Sequence, residues 1–173
     1  LSMADPVRAP AAAAQKGHNA FGALPQWDLS DLYPAADSPE LKRDLDWAKS
    51  EAKAFEADYK GKLDGLTKAG RLIEAIERSE KLGDVTGRLG SFAYLRYVLD
   101  TQNPEKTKFL GDLSQAITDL STGLLFWELE LNRIEDSVIA AALAADEKLG
   151  RYRHWFAELR KAKPYQLDDK VEE

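Results

Sequence analysis

The sequence predicts an all-α fold, an antiparallel bundle of about five or six helices. Apolar residues recur at intervals of three and four along most of the chain, which is the spacing of one helix face. No window of four to eight residues alternates apolar and polar side chains with β-branched residues, so no sheet is expected. Two proline-containing caps mark the points where long helices begin.

The first part of the chain is expected to lie outside the helices. Residues 1–23 are rich in alanine and proline and lack a leucine-rich apolar stretch, so we interpret them as a disordered leader, with residues 1–2 as a tag scar. Residues 24–37 mix bulky apolar side chains with proline near both ends. This composition predicts an extended strap that docks on a helical bundle formed by residues 38–166.

The first helix has a clear start. Ser38-Pro39-Glu40 supplies an N-cap hydroxyl, a proline at the first helical position and an acid in the first turn. The helix is predicted to run to Gly61, since one apolar stripe consists of Leu41, Leu45, Ala48, Ala52, Phe55 and Tyr59. Trp47 falls beside this stripe and is expected to meet a second partner.

A second helix is predicted to begin near Thr67, and a third, separate from it or continuous with it, extends to Val98. Gly83, Gly87 and Gly90 fall along this third helix and cost it about 2–3 kcal/mol relative to alanine. We expect the close approach of another helix backbone to offset this cost. A hinge is the alternative interpretation.

The next cap, Asn103-Pro104-Glu105, has the same order of capping residue, proline and acid as the first, and it predicts the start of the clearest helix. Apolar residues step by three and four from Leu110 to Leu131, as in bundle packing or a short coiled-coil seam. A shorter helix at about 137–145 and another at about 149–162, ended by Pro164, complete the bundle.

The end of the chain predicts the start of one more helix. Within residues 167–173, Asp168 is a candidate N-cap and three acidic residues follow it. Because nothing follows Glu173 to complete such a helix, the chain is expected to be a fragment of a longer protein.

Composition excludes several classes of function. The 173 residues include no cysteine, and 30 acidic against 24 basic residues give a net charge of −6, with both signs interspersed. An acidic chain without a cluster of basic residues is not typical of a nucleic-acid-binding protein. No apolar stretch is long enough for a membrane span. A protein of the cytoplasm is the default expectation for a cysteine-free chain.

Few residues are candidates for chemistry. His18 and His154 lie far apart, so no two histidines share a helix face as zinc ligands, and no catalytic or metal-binding residue is predicted. Tyr94, Arg96 and Tyr97 combine two phenols and a guanidinium within one turn, which could grip a peptide carboxylate or carbonyl. The alternative is core tyrosines with an arginine paired to an acid on the adjacent helix.

Four segments together form a recognisable series in order and spacing. They are Leu24-Pro25-Gln26-Trp27-Asp28-Leu29-Ser30-Asp31-Leu32-Tyr33; Phe55 with Tyr59, Gly61 and Leu63; Leu89-Gly90-Ser91-Phe92-Ala93-Tyr94-Leu95-Arg96-Tyr97 leading to Asp100-Thr101; and Tyr152-Arg153-His154-Trp155-Phe156 before Lys163-Pro164-Tyr165 and Leu167. The series resembles the amino-terminal helical region of the oligoendopeptidase F family, zinc metallopeptidases related to thimet oligopeptidase.

The resemblance implies an enzyme that cleaves short peptides in a deep cleft between largely helical halves. In that family a His-Glu-x-x-His helix supplies two zinc ligands and the general base, and a later glutamate supplies the third ligand. No position of this sequence matches that motif, so the catalytic domain is expected to be absent and zinc to belong to the full-length parent.

What the resemblance implies for this region is one wall of the cleft, with Tyr94, Arg96 and Tyr97 as candidate lining residues. Its expected partners are the missing carboxy-terminal catalytic domain and, in the full-length enzyme, short peptides. A domain separated from the rest of its protein would leave apolar surface uncovered, which favours self-association. The alternative is a free-standing helical interaction module that binds a partner helix through an exposed apolar stripe.

Overall fold

The computed structural model describes residues 27–166, where the chain forms α-helices, one 3₁₀ helix and no β-strand. The predicted all-α class is therefore confirmed. The predicted leader, the first residues of the strap and the predicted helix start at 167–173 lie outside the described residues. The helices are α1 (Pro39–Tyr59), α2 (Leu63–Lys68), α3 (Leu72–Val98), α4 (Pro104–Thr122), α5 (Phe126–Arg133), α6 (Asp136–Ala145), α7 (Glu147–Gly150), α8 (Arg153–Leu159) and a 3₁₀ helix (Arg160–Tyr165).

Between residues 27 and 166, no helix has the combined length and apolar character that a membrane crossing requires.

Helix α1 begins and ends as its sequence predicts. The Ser38 hydroxyl accepts a hydrogen bond from the Leu41 backbone N–H at 3.3 Å, and Pro39 occupies the first turn, where it costs no hydrogen bond. The helix ends before Gly61, whose φ of 77° lies in the left-handed region that glycine adopts without a steric penalty.

The predicted start of the second helix near Thr67 is wrong. Thr67 lies inside the short helix α2, where its hydroxyl donates to the Leu63 carbonyl at 2.7 Å. Gly70 follows with a φ of 71°, which a right-handed helix cannot contain, so the long helix α3 begins only at Leu72. From there α3 is continuous to Val98, which was one of the two predicted alternatives.

The three glycines of α3 do not mark a close helix contact. A Cβ atom built on Gly83 or Gly87 would meet nothing within 4 Å, and both residues are exposed. A Cβ on Gly90 would lie 3.6 Å from the Ile117 side chain, an ordinary van der Waals distance. The expected approach of another helix backbone is therefore wrong for the described part of the chain.

The predicted stripe from Leu110 to Leu131 is divided between two helices. Asn103 caps α4 as predicted, since its side-chain oxygen accepts from the backbone N–H groups of Glu105 and Lys106 at 2.9 and 3.2 Å. Helix α4 then ends at Thr122, and α5 begins at Phe126.

Local sequence explains the break between α4 and α5. The hydroxyls of Thr118, Ser121 and Thr122 each donate to a carbonyl one turn earlier, at 2.7–3.1 Å, an arrangement that often bends helices. Gly123 follows, and glycine is a weak helix former. Beyond the break, Trp127 is buried in the core, where its ring centroid lies 5.2 Å from that of Phe55.

The last predicted helix is also divided. The helix predicted at 137–145 corresponds to α6, but the segment predicted at 149–162 forms α7, α8 and the 3₁₀ helix, which contains Pro164 instead of stopping at it. Arg160 anchors this segment to the end of α5 by donating to the carbonyls of Leu131 and Ile134 at 3.3 and 2.7 Å.

Helix α3 is the common partner of α1 and α4. It is antiparallel to α1. Asp44 of α1 pairs with Arg88, whereas Trp47, later in α1, has its ring centroid 5.1 Å from Lys81, which comes earlier in α3. Helix α3 is also antiparallel to α4, because Gly90 lies next to Ile117 whereas Arg96, later in α3, lies over Phe109, earlier in α4. The expected second partner of Trp47 is thus the side chain of Lys81.

Residues 27–37, the described part of the strap, contain no helix, and Tyr33 anchors them. The Tyr33 side chain is 2% exposed, and its hydroxyl donates to the Asp44 carboxylate at 2.9 Å. Arg88 donates to the same carboxylate and also lies 5.1 Å from the Tyr33 ring centroid. Burial and the bond to Asp44 both raise the pKa of the Tyr33 phenol.

Two glycine substitutions should change stability in opposite directions. Gly87→Ala should raise the free energy of unfolding by about 1 kcal/mol, because the site is open and alanine is the better helix former. Gly70→Ala should lower it by about 1–2 kcal/mol, since its left-handed φ strains any side chain. Urea denaturation of both variants checks this, and the same sign for both would contradict the described backbone.

Tyr33→Phe should lower the free energy of unfolding by about 1–3 kcal/mol near neutral pH, because it removes the buried hydrogen bond to Asp44. The contribution of the phenol should be fully present below its unfolded pKa of about 10 and lost as the pH rises through its raised folded pKa. The difference between wild type and variant should therefore shrink above about pH 10. A pH-independent difference in urea titrations would refute this role for the hydroxyl.

Candidate functional site

A cleft of about 680 Å³ opens between the strap, the end of α3 and the start of α4. We call it the strap cleft. It contains Arg96, one of the three sequence-predicted candidates. Another cleft, of about 710 Å³ between α2 and α6, is lined mainly by alanine and other small residues and holds no aromatic or arginine side chain. The strap cleft is lined by Trp27, Asp28, Leu29, Ser30, Tyr33, Pro34, Ala35, Ala36, Asp37, Phe92, Arg96, Leu99, Glu105 and Phe109.

Aromatic rings form the inner side of the strap cleft. Tyr33 and Phe92 meet edge to face with centroids 5.4 Å apart, and Phe92 meets Phe109 in the same way at 6.1 Å. The Arg96 guanidinium lies 5.4 Å from the Phe109 centroid. Edge-to-face pairs fix ring orientation, so the buried anchor at Tyr33 is connected to Arg96 through a continuous set of packed rings.

Arg96 is half-buried, and no carboxylate of the described residues forms an ion pair with it. Its partner on the adjacent helix is the ring of Phe109, not an acid. A guanidinium that lies over an aromatic ring keeps N–H groups available for hydrogen bonds. Arg96 therefore presents unused donors at the strap cleft.

The other two candidates do not join Arg96 there. Tyr94 precedes Arg96 by two positions, about 200° around the helix, and is 57% exposed on the outer face of α3. Tyr97 is half-buried and does not line the cleft. The structure thus brings Arg96 alone to the strap cleft, and a shared role of all three in a substrate cleft stays a prediction.

Three carboxylates also line the strap cleft, and each lies beside backbone N–H groups that stabilise its negative charge. Asp28 accepts a hydrogen bond from the Ser30 backbone N–H at 2.9 Å, which lowers the pKa of Asp28. Glu105 lies in the first turn of α4, and Asp37 directly precedes the cap of α1. Negative charge is favourable at helix N-termini.

Sequence reasoning missed two groups that shape this site, although both carried a signal. Phe109 lies four residues before Leu113 and next to Leu110, so it belongs to the apolar face with which the predicted stripe of α4 begins. Asp44 lies three residues after Leu41 and four before Ala48, so an acid occupies a core position of α1. A carboxylate at a core position requires partners, and Tyr33 and Arg88 provide them.

The described residues do not fit a zinc site of the kind that the resemblance implies. Nowhere in residues 27–166 do three histidine, cysteine or acidic side chains come together in an arrangement that could hold a metal ion. His154, the histidine of this part of the chain, is exposed on α8.

Comparison with known proteins gives two matches. A family model described as Oligopeptidase F matches residues 130–173, which begin within α5. Oligopeptidase PepF of Bacillus subtilis (strain 168) is 26% identical over 151 residues, which cover 84% of this chain and 21% of that protein. The chain thus spans about a fifth of the length of this relative. No solved structure matches the chain significantly.

The two matches agree on one family, and the alignment with the relative includes most of the described helices. The predicted resemblance of this chain to the amino-terminal region of the oligoendopeptidase F family is therefore confirmed.

Proposed function

We propose that this chain forms one wall of the substrate cleft in a longer zinc metalloendopeptidase of the oligoendopeptidase F type, which hydrolyses short peptides in the cytoplasm. The observation that carries the proposal is the similarity to Oligopeptidase PepF, which extends over most of this chain but only a fifth of the relative. Catalysis would then require the rest of the longer protein.

The fold suits a wall that selects by shape. Helices α1, α3 and α4 pack along their lengths around shared cores, so their surface is fixed by buried side chains and not by mobile loops. A rigid wall admits flexible peptides and excludes folded proteins, and its closure removes water from the scissile bond.

The division of roles follows from the side chains that are present. The chain's own contribution would be to bind and orient peptides through Arg96 and the apolar rim of the strap cleft. In such enzymes zinc supplies an activated water. Its ligands and the general base would come from the part of the protein outside this chain, because the described residues do not fit a metal site.

A helical interaction module is the second candidate, and exposed apolar side chains favour it. Several large apolar residues lie on the surface of the described part of the chain, and such residues mark contact sites when they are contiguous. The exposed apolar residues are Trp27, Tyr94, Val98, Leu99, Leu125 and Tyr165. Self-association of the isolated chain would use the surface that they form.

Extending the source gene beyond the Glu173 codon tests the proposal. The expected result is an open frame that contains His-Glu-x-x-His, and the encoded protein should hydrolyse a quenched fluorescent heptapeptide. A zinc chelator should abolish this activity, and the 173-residue chain alone should show none. A stop codon directly after Glu173 would favour the interaction module and end the peptidase proposal.

A further inference from the structure

We propose that the strap cleft is a binding site for the carboxyl-terminal end of a peptide, in which Arg96 pairs with the free carboxylate and the neighbouring apolar side chain lies against Trp27, Leu99 and Phe109. The inference rests on the proposed function only in taking peptides as the ligand.

Arg96 has unused hydrogen-bonding capacity. The other partly buried arginines within residues 27–166 bind polar acceptors: Arg78 pairs with Glu51 and Asp58, and the terminal nitrogens of Arg160 donate to two carbonyls and to Asp136. Arg96 has only the Phe109 ring among the described residues. A planar guanidinium with free N–H groups binds a carboxylate through two parallel hydrogen bonds.

The Arg96 side chain is preorganised for binding. A flexible surface arginine loses side-chain entropy when it binds a ligand, and this loss weakens binding. The Arg96 guanidinium lies over the Phe109 ring, which packs on Phe92, which in turn packs on the buried anchor Tyr33. Because the fixed ring of Phe109 favours this position of the guanidinium, less freedom should be lost when a carboxylate binds.

Apolar side chains form the rim of the strap cleft. Trp27 is 63% exposed and Leu99 is 39% exposed, and both line the strap cleft together with the half-buried Phe109. Small-molecule sites typically combine such apolar surface with a few polar groups that fix orientation. An apolar side chain next to a terminal carboxylate matches this combination.

The acidic residues of the strap cleft limit the charge of the ligand. Asp28, Asp37 and Glu105 would repel an anion, but Asp28 is bonded to the Ser30 N–H and the other two lie at helix N-termini. None of them pairs with Arg96. These acids should disfavour a second negative charge, so the preferred ligand carries a single carboxylate beside a neutral apolar residue.

A matched pair of ligands tests the proposal on the unaltered chain. N-acetyl-L-phenylalanine and its carboxamide differ only in the terminal charge. We expect the acid to bind at least about tenfold more tightly in NMR titrations, since hydrogen bonds to a charged group are worth roughly 1.4 kcal/mol or more. The shifts should centre on the Trp27 indole and the Arg96 side-chain N–H, while the Trp155 indole stays unchanged.

Two variants test whether Arg96 is responsible for the preference for the acid over the amide. Arg96→Gln should lose the difference between acid and amide, whereas Arg153→Gln, which removes an exposed arginine on α8, should keep it. Equal binding of both ligands, no binding, or a preference that survives in Arg96→Gln would overturn the proposal. If Arg96→Gln fails to fold, shifts on wild type that avoid Trp27 and Arg96 overturn it equally.

The outcome is separable from that of the proposed function. A downstream frame with His-Glu-x-x-His but no preference for the acid would refute only this site. A clear preference in a chain that proves to end at Glu173 would retain the site and refute the peptidase.

Discussion

The position of the strap, and with it the shape of the cleft, depends on one buried carboxylate. Asp44 is 9% exposed and belongs to α1, and besides its neighbour Arg43 its partners come from the strap and from α3. A buried carboxylate without partners is strongly unfavourable, so the strap and the two helices must come together in one arrangement to satisfy it. Buried pairs of this kind can specify geometry even where their net contribution to stability is small, because leaving one partner unpaired is costly. Here they fix Tyr33, and Tyr33 fixes the segment that covers the core between α1, α3 and α4.

The candidate site is an extension of that arrangement. The ring of Tyr33 supports Phe92, Phe92 supports Phe109, and Phe109 carries the Arg96 guanidinium. A change at Asp44 would therefore reach the cleft through packed rings although Asp44 itself does not line it. This route also explains why local sequence around Arg96 could not define the site. Its neighbours Tyr94 and Tyr97 share a helical turn with it, but not the cleft-facing side of the helix.

Sequence alone predicted the helix starts that local chemistry determines. Ser38 and Asn103 cap α1 and α4 as expected, because a cap needs only residues within one turn. The helix breaks were missed where weak local signals compete with a continuous apolar stripe, as at Gly123. The partners of Asp44 were missed because Tyr33 and Arg88 are brought to it by the tertiary fold. At Gly83 and Gly87 the prediction was wrong for another reason. A closely packed helix was expected to offset their cost in helix propensity, but a low propensity does not by itself imply such a contact.

Native-state hydrogen exchange of Asp44→Ala, with Asp46→Ala as the control, tests the central role of this carboxylate most directly. Asp46 is a neighbouring but exposed acid on α1. The amides of Leu32 and Tyr33, which both donate to the Leu29 carbonyl, report on the strap. We expect Asp44→Ala to remove their protection while amides inside α3 and α4 stay protected, and Asp46→Ala to change neither. Strap amides that remain as protected in Asp44→Ala as in wild type would contradict the account.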